Sequence, residues 1–202
     1  MIDLYGWTTG NTYRVLIALE ETGLPYRAVP VNLRERDQDR PGFLALNPMG
    51  QVPLIIDSEG PCGAQITLSQ SMAILLYLAE KSGQLLPAAR ADRAHALEAL
   101  SLVMTDLVAP VNFGLSLERE EGSSAGLAFG EARATRALAA IEQRLGICSF
   151  LGGTRFGAAD CAAFPMIHLL GTGRLQDLPV TRRWYREAQE RAPVQRALAA
   201  IF

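Results

Sequence analysis

Two short motifs in this 202-residue chain carry polar groups at a spacing that suits the binding of a small peptide. The first is residues 47–53 (Asn-Pro-Met-Gly-Gln-Val-Pro), where a proline opens an apolar strand. A bond before proline can be cis at a cost of about 0.5–1 kcal/mol, which would turn the backbone N–H and C=O of Val52 towards a ligand. The second is Gln70-Ser71, at a helix start, where free N–H groups suit a carboxylate. Together they predict a site that holds a short peptide by its backbone and its acid group.

Thr9 and Asn11 stand at the start of the first predicted helix, directly after the first predicted strand. The hydroxyl of Thr9 and the amide of Asn11 can each donate a hydrogen bond, and the positive end of the helix points to the same place. Both residue types are also common helix caps. The residues alone leave both roles open.

The elements that would position these groups form a β-α-β-α-β-β-α series. We predict strands at 2–5, 26–33, 53–56 and 65–68, and helices at 12–22, 42–46 and 69 to about 83. The β-α-β start implies a parallel pair of strands with a right-handed crossover. Further helices are predicted at 91–117, with a kink at Pro110, and at 125–145, 158–170, 180–191 and 193–201. The fold class is therefore a small mixed-sheet domain at 1–83, a linker at 84–90 and an all-helical domain at 91–202.

Composition excludes several classes of function. The net charge is −2 with no run of Lys or Arg, so we expect no nucleic-acid partner. Three cysteines without a CxxC motif, and two isolated histidines, predict reduced thiols and no metal site. No basic leader precedes an apolar segment, and no stretch approaches the roughly 18 apolar residues of a membrane span. We therefore expect a cytoplasmic protein with no membrane partner.

In this order and spacing, the motifs resemble those of the cytosolic glutathione transferases. The resemblance rests on residues 47–53, on Gln70-Ser71, on the segment 7–15, and on Gly-Ala-Ala-Asp at 157–160 followed by Pro165. It implies a thioredoxin-like N-terminal domain, an all-helical C-terminal domain, and glutathione as a co-substrate without a metal.

Two subgroups of that family and one non-enzymatic alternative remain open. The run Thr9-Gly10-Asn11 looks like the Thr-Pro-Asn segment of the bacterial Nu-type enzymes, which often reduce disulfides. Residues 25–33, together with the two binding motifs, look like the zeta group of maleylacetoacetate isomerases. That group carries Ser-Ser-x-Cys where this chain has Thr-Thr-Gly-Asn at 8–11. A binding module that keeps the fold without catalysis is the third hypothesis.

The resemblance implies that Thr9 stabilises the glutathione thiolate, with Asn11 as a second donor. Lowering a thiol pKa of about 8.5 by about two units requires about 2.7 kcal/mol. A hydrogen bond to an ionised acceptor supplies about 1.5–3 kcal/mol, and a helix N-terminus adds about 0.3–1 kcal/mol. Tyr5, the alternative donor, lies within the first predicted strand, where a buried side chain is expected.

The resemblance also assigns the remaining contacts. We expect Val52 and Pro53 to pair with the cysteinyl backbone and Gln70 and Ser71 to bind the γ-glutamyl end. The residues assigned to the glycyl end are Gln38, Arg40 and Gln51.

A hydrophobic second-substrate pocket is predicted from apolar residues of the first loop and the long helix, namely Trp7, Met104, Val108 and Phe113. Apolar helix positions of this kind are equally suited to core or dimer contacts. A homodimer is expected from the resemblance and from the apolar stretch at 97–113. The substrate would be a small hydrophobic electrophile or a disulfide.

Overall fold

Four strands form the sheet of the first of two units: β1 (Ile2–Gly6), β2 (Tyr26–Pro30), β3 (Leu54–Asp57) and β4 (Ile66–Ser69). The computed structural model describes residues 1–200. Strand order is β2-β1-β3-β4, with β1 parallel to β2 and β3 antiparallel to both β1 and β4. The predicted order of elements and the thioredoxin-like sheet are confirmed.

Helices α1 (Gly10–Thr22), α2 (Pro41–Leu44) and α3 (Ser71–Ser82) complete the N-terminal part of this unit. Residues 15–19 of α1 are all fully buried, and α1 packs against α3. Helix α1 ends at Gly23, whose φ of 67° glycine adopts without steric penalty. Thr9 and Asn11 lie at the N-terminus of α1, and Gln70 and Ser71 lie at the N-terminus of α3.

The last helix, α9 (Ala192–Ala199), belongs to this first unit, which comprises Met1–Gln84 and the segment from Arg191 onward. Val194 and Ala197 are fully buried, α9 packs against α1, and Arg191 pairs with Glu21 at 2.6 Å. The predicted domain at 91–202 is corrected here, because α9 buries its apolar face on α1. The predicted end of this helix at residue 201 lies outside the described residues.

The second unit, Leu85–Glu190, is helical. It contains α4 (Arg90–Leu102), a π-helical segment (Val103–Val108), α5 (Ala109–Glu121), α6 (Ser124–Ile147), α7 (Ala158–Leu170) and α8 (Pro179–Glu190). The sequence predicted a kink at Pro110; in the structure, a π-helical segment precedes this proline and the helix continues through it. Proline removes a hydrogen bond and clashes with the carbonyl four residues earlier, and the wider π turn before it accommodates both effects.

By length and composition, the continuous helix Arg90–Glu121 would be sufficient to cross a membrane. This corrects the expectation that no stretch comes near that limit. The same criterion selects core helices of soluble proteins. Here the helix packs against α6 and α7 within its unit.

Glycines allow α5 and α6 to approach closely. A Cβ atom on Gly114 would lie 2.4 Å from the carbonyl oxygen of Gly126, and one on Gly126 would lie 2.8 Å from the Cβ of Leu117. Both distances are shorter than real contacts, so this crossing requires glycine.

Asp160 ties the start of α7 to its surroundings. Its buried carboxylate accepts hydrogen bonds from the backbone N–H of Gly157 (2.9 Å) and Leu151 (3.0 Å) and from Trp184 Nε1 (2.7 Å). Burial raises the pKa of Asp160 to about 6, although its N–H donors act in the opposite direction. Gly157 has no side chain to complete a capping box, and a Cβ there would lie 2.6 Å from the carbonyl oxygen of Leu85. These three bonds give Asp160 a structural role at the start of α7.

Candidate active site

Residues from three segments of the first unit line one small polar cavity: Asn11, Asn47, Gln51, Val52, Pro53, Gln70 and Ser71. Its volume is about 30 Å³, which is sufficient for one small polar group. A tripeptide would therefore reach into it with one group and lie along the open surface with the rest. Six residues predicted from the sequence meet here, and Asn47 was not among the predicted ligands.

The loop before β3 presents Val52 at this cavity. The Val52–Pro53 peptide bond is cis, as the sequence predicted. Asn47, only 3% exposed, donates from Nδ2 to the carbonyl oxygen of Gln51 (2.7 Å) and accepts from the N–H of Met49 (3.2 Å). Asparagine often bonds to the backbone two residues on, and this turn signal was available in the sequence. Asn47 fixes the shape of the loop.

The start of α3 contributes Gln70 and Ser71. Gln70 has φ 70° and ψ 109°, a conformation rare for a residue with a side chain, and its amide makes no capping bond to the helix. Ser71 is the first helical residue and is 7% exposed. The first N–H groups of a helix have no intrahelical acceptors. This end of the cavity therefore offers an amide, a hydroxyl and free N–H donors to an anionic group.

Thr9 caps α1, so the structural role anticipated for it is present. Its Oγ1 accepts from the N–H of Thr12 at 3.2 Å and lies 3.0 Å from Thr12 Oγ1. Thr9 is partly exposed and is not among the residues that line the cavity. The capping bond uses one lone pair of the Thr9 hydroxyl oxygen and does not determine the direction of the hydroxyl proton.

Asn11 lines the cavity, and Arg14 holds its amide. The Nη1 of Arg14 donates to Asn11 Oδ1, which identifies the oxygen end of the amide and leaves Nδ2 as its donor. Burial lowers the pKa of Arg14 to about 10, so the guanidinium remains charged at neutral pH. No sequence pattern indicated this role for Arg14, because an arginine among apolar helix positions ordinarily extends to solvent.

Gln38 and Arg40 do not line the cavity. The carbonyl oxygen of Gln38 would lie 3.3 Å from a Cβ on Gly50, so Gln38 borders the same loop on another side. Its Oε1 is buried without a hydrogen-bond partner among the described residues, and an acceptor suits a ligand N–H better than a carboxylate. Arg40 pairs with Asp37 at 2.7 Å, and its side chain is 70% exposed.

The residues predicted for a second-substrate pocket lie in different units. Trp7 packs against the cluster of Val31, Phe43, Val52 and Leu54 in the first unit. In the second unit, Met104 and Val108 lie in the π-helical segment, where Val108 is 3% exposed, and Phe113 on α5 is 58% exposed. The pocket therefore remains a prediction.

A larger cavity of about 260 Å³ in the second unit contains none of the predicted residues. It is lined by Leu102, Asp106, Arg133, Arg136, Ala137 and Ala140. Within residues 1–200 there is no group of three or more His, Cys, Asp or Glu that could hold a metal ion.

A mixed sheet with a cis-proline loop, followed by a helical unit, is the architecture that the resemblance found in the sequence implies. The family model described as glutathione S-transferase, N-terminal domain, matches residues 1–80, and the model of the C-terminal domain matches residues 88–187. The chain belongs to the glutathione S-transferase family, which confirms the resemblance found in the sequence.

Known relatives agree with both subgroups considered above. The disulfide-bond oxidoreductase YfcG of Escherichia coli K12 is 31% identical, over 98% of this chain and 94% of that protein. The maleylacetoacetate isomerase of Rhizobium meliloti is 36% identical over 80% of this chain and 78% of the relative. A crystal structure of a glutathione transferase family member from Pseudomonas fluorescens pf-5, with two glutathione bound, matches with a TM-score of 0.90. That match has 34% identity over 98% of this chain and 92% of the other.

Proposed function

We propose that this protein binds glutathione at the cavity of the first unit and that the bound thiolate attacks a disulfide or a hydrophobic electrophile. The observation that carries the proposal is the meeting of Asn11, the cis Val52–Pro53 bond and the start of α3 around one polar cavity. Each offers what one part of the tripeptide needs. Glutathione is the co-substrate, and no metal takes part.

The backbone of Val52 would pair with the cysteinyl residue of glutathione as a short added strand. Gln70 and Ser71 would bind the γ-glutamyl carboxylate at the start of α3, where N–H groups and the helix dipole favour an anion. Gln51, which directly precedes Val52 in the loop, is assigned to the glycyl end. Gln38 and Arg40, which do not line the cavity, are also proposed to contact the glycyl end of glutathione.

The sulfur would lie near the start of α1, with Thr9 and Asn11 as donors. Asn11 is favoured by its place at the cavity and by Arg14, which holds its oxygen and leaves the N–H groups for the sulfur. Thr9 is favoured because its cap leaves one proton to donate. Two such bonds to an ionised sulfur, about 1.5–3 kcal/mol each, exceed the approximately 2.7 kcal/mol needed for a shift of about two pKa units.

Disulfide reduction balances with two molecules of glutathione. The first thiolate attacks one sulfur of the substrate disulfide, forming a mixed disulfide and releasing a substrate thiolate that takes up a proton. A second glutathione thiolate attacks the glutathione sulfur of the mixed disulfide and releases the other substrate thiol. The substrate is reduced and glutathione is oxidised to its disulfide. The similarity to a disulfide-bond oxidoreductase and to a structure with two bound glutathiones supports this reaction.

Calorimetric titration with glutathione tests the binding site. We expect Ser71→Ala to weaken binding at least tenfold, since it removes a donor at the γ-glutamyl end. The matched control is Ser82→Ala at the other end of the same helix, where the hydroxyl donates to the carbonyl of Leu78 and accepts from the N–H of Gln84, away from the cavity. Absence of binding to the native protein, or equal affinity of both variants and native, would contradict the proposal.

A glutathione-dependent cis-trans isomerase is the second candidate, favoured by the 36% identity to a maleylacetoacetate isomerase. There the thiolate would add to a conjugated double bond, the resulting single bond would rotate, and the thiol would leave. Parallel assays with a mixed disulfide, a chloronitrobenzene and maleylacetone separate the candidates. If maleylacetone is the only one of the three substrates that is turned over, the isomerase reaction replaces the main proposal. If glutathione binds but none of the three substrates is turned over, the result favours a binding module.

A homodimer, a cytoplasmic location and a role in detoxification are further proposals that rest on membership of the family. The exposed side chains of Phe113 on α5 and Phe129 on α6 are available for a contact between subunits.

A further inference from the structure

Thr12 is a fully buried threonine whose side chain contacts the hydroxyl of Thr9. Its Oγ1 lies 3.0 Å from Thr9 Oγ1 and accepts from the N–H of Trp7 at 3.4 Å. Its backbone N–H donates to the same Thr9 oxygen at 3.2 Å. Thr12 therefore approaches Thr9 Oγ1 with two polar groups, and it has no exposed surface of its own.

One proton lies between the two hydroxyl oxygens, and burial decides which residue donates it. A hydroxyl has one proton and two lone pairs. The Thr12 proton cannot reach water, and among residues 1–200 its hydroxyl contacts only the N–H of Trp7, which is a donor, and Thr9 Oγ1. Because a buried donor needs an acceptor, Thr12 must donate to Thr9. The opposite direction would leave the Thr12 proton unpaired.

The two bonds from Thr12 occupy both lone pairs of Thr9 Oγ1. Thr9 keeps its proton, and its partly exposed side chain can point that proton outward. A hydroxyl in this state can donate a hydrogen bond but cannot accept one. An ionised sulfur accepts such a bond, whereas the proton of an S–H group would find no lone pair.

We propose that Thr12 is a positioning residue that makes Thr9 an obligatory donor, so that the site selects the thiolate of glutathione over its thiol. This inference rests on the proposed function, because it requires the glutathione sulfur at Thr9. It assigns to Thr12 a role in ionisation rather than in affinity for the rest of the tripeptide.

The test is the pKa of enzyme-bound glutathione, followed by the ultraviolet absorbance of the thiolate across pH. Thr12→Val keeps the shape and removes the hydroxyl, so we expect the pKa of the bound thiol to rise by about one unit, which is about tenfold less thiolate at lower pH. Thr12→Ser should restore the native value. The rate with a disulfide should decrease at pH values below the raised pKa and recover at higher pH. KM for glutathione should stay near native below the native pKa, where the thiol form binds, and rise above it, where the thiolate binds.

The matched control is Thr22→Val at the far end of α1, where the lost hydroxyl bonds only to helix carbonyls. It should leave the pKa of the bound thiol unchanged. If Thr12→Val does not fold, Thr12→Ala provides the same comparison with Thr12→Ser. A native pKa in every folded variant at position 12, beside a raised pKa in Thr9→Ala, would overturn this role and leave the proposed function intact. Failure of the native protein to bind glutathione would instead overturn the proposed function.

Discussion

At the scale of single residues, buried side chains hold groups that line the cavity. Arg14 holds the amide of Asn11, and Asn47 holds the carbonyl of Gln51. Both bracing side chains are almost completely buried. A donor fixed in this way loses less freedom when it binds, so more of its interaction energy goes into selecting the correct ligand.

Changing Asn11 to aspartate tests whether this side chain faces the sulfur. Asn11→Asp keeps the size and the bond from Arg14, but it replaces the N–H groups with a negative charge. We expect the pKa of bound glutathione to rise by about one unit or more, because a like charge disfavours ionisation. Thiolate absorbance measures it. Gln65→Glu adds the same charge at an exposed position before β4 and should have no effect; an unchanged pKa in Asn11→Asp would exclude Asn11 from the sulfur site.

Asp160 predicts a pH dependence of stability with a definite sign. The pKa of about 6 in the folded protein lies above the value of about 3.9 for an unfolded aspartate. The folded state therefore binds the proton more tightly, and this contribution to stability is complete below about pH 4 and is lost as pH rises through about 6.

Chemical denaturation of the native protein and of Asp160→Asn tests that sign. The amide variant cannot titrate, and it places a donor against the N–H groups of Leu151 or Gly157, which should destabilise it by about 1–3 kcal/mol. The difference in unfolding free energy between the two proteins should shrink between about pH 4 and pH 7. A difference that grows with pH would show that the N–H donors outweigh burial.

The sequence predicted the residues that line the cavity better than the residues that support them. The loop and helix-start motifs are local, so Val52, Pro53, Gln70 and Ser71 could be placed from spacing alone. Thr12 and Arg14 gave no such signal, because their importance depends on burial and on partners that only the fold defines. For Thr9, the capping role proposed beside catalysis is present, and its catalytic role remains to be tested.

At the scale of elements, the glycine contact between α5 and α6 sets how closely those helices approach. Gly114→Ala places a methyl group 2.4 Å from a backbone carbonyl that cannot rotate away. We expect a loss of about 1–3 kcal/mol in unfolding free energy, as is usual for overpacking. Denaturant titration measures it.

The matched control is Gly146→Ala in α6, where a Cβ meets no atom within 4 Å. Alanine there should be neutral or should stabilise the protein by up to about 1 kcal/mol, since glycine is a poor helix former. Equal effects of the two substitutions would mean that helix propensity, and not close packing, determines the result.

Element boundaries were predictable where residues that break helices flank them. Helix α7 begins after Gly157 and ends before Gly171, and its bounds agree with the predicted range 158–170. The π-helical segment before Pro110 was not predicted, because the apolar pattern continues through it without interruption. Its cause is a backbone conflict that hydrophobic periodicity does not report.

At the scale of the whole molecule, the chain returns to its first unit at the end. The sequence predicted a helix at 193–201, but it could not show which element that helix packs against. The partner, α1, carries Thr9 and Asn11 at its N-terminus. The last helix therefore supports the helix on which the candidate site depends.

Apolar burial should be the main attachment of α9 to α1. Val194→Ala removes two methyl groups from a fully buried side chain and should lower stability by about 1–3 kcal/mol. Arg196→Ala removes an exposed ion pair to Glu20 and should cost less than about 1 kcal/mol. Hydrogen exchange of the α1 amides measures both, and faster exchange in Arg196→Ala than in Val194→Ala would contradict this account.

The unusual backbone conformation of Gln70 places the stability of the protein in conflict with its proposed function. A φ of 70° with ψ 109° at a residue with a side chain costs about 1–3 kcal/mol, and glycine would relieve most of that strain. Directed evolution for heat resistance alone would therefore favour Gln70→Gly. The more heat-resistant variants would lack the Gln70 amide that lines the cavity. They would therefore lose a group that we propose binds the γ-glutamyl end of glutathione.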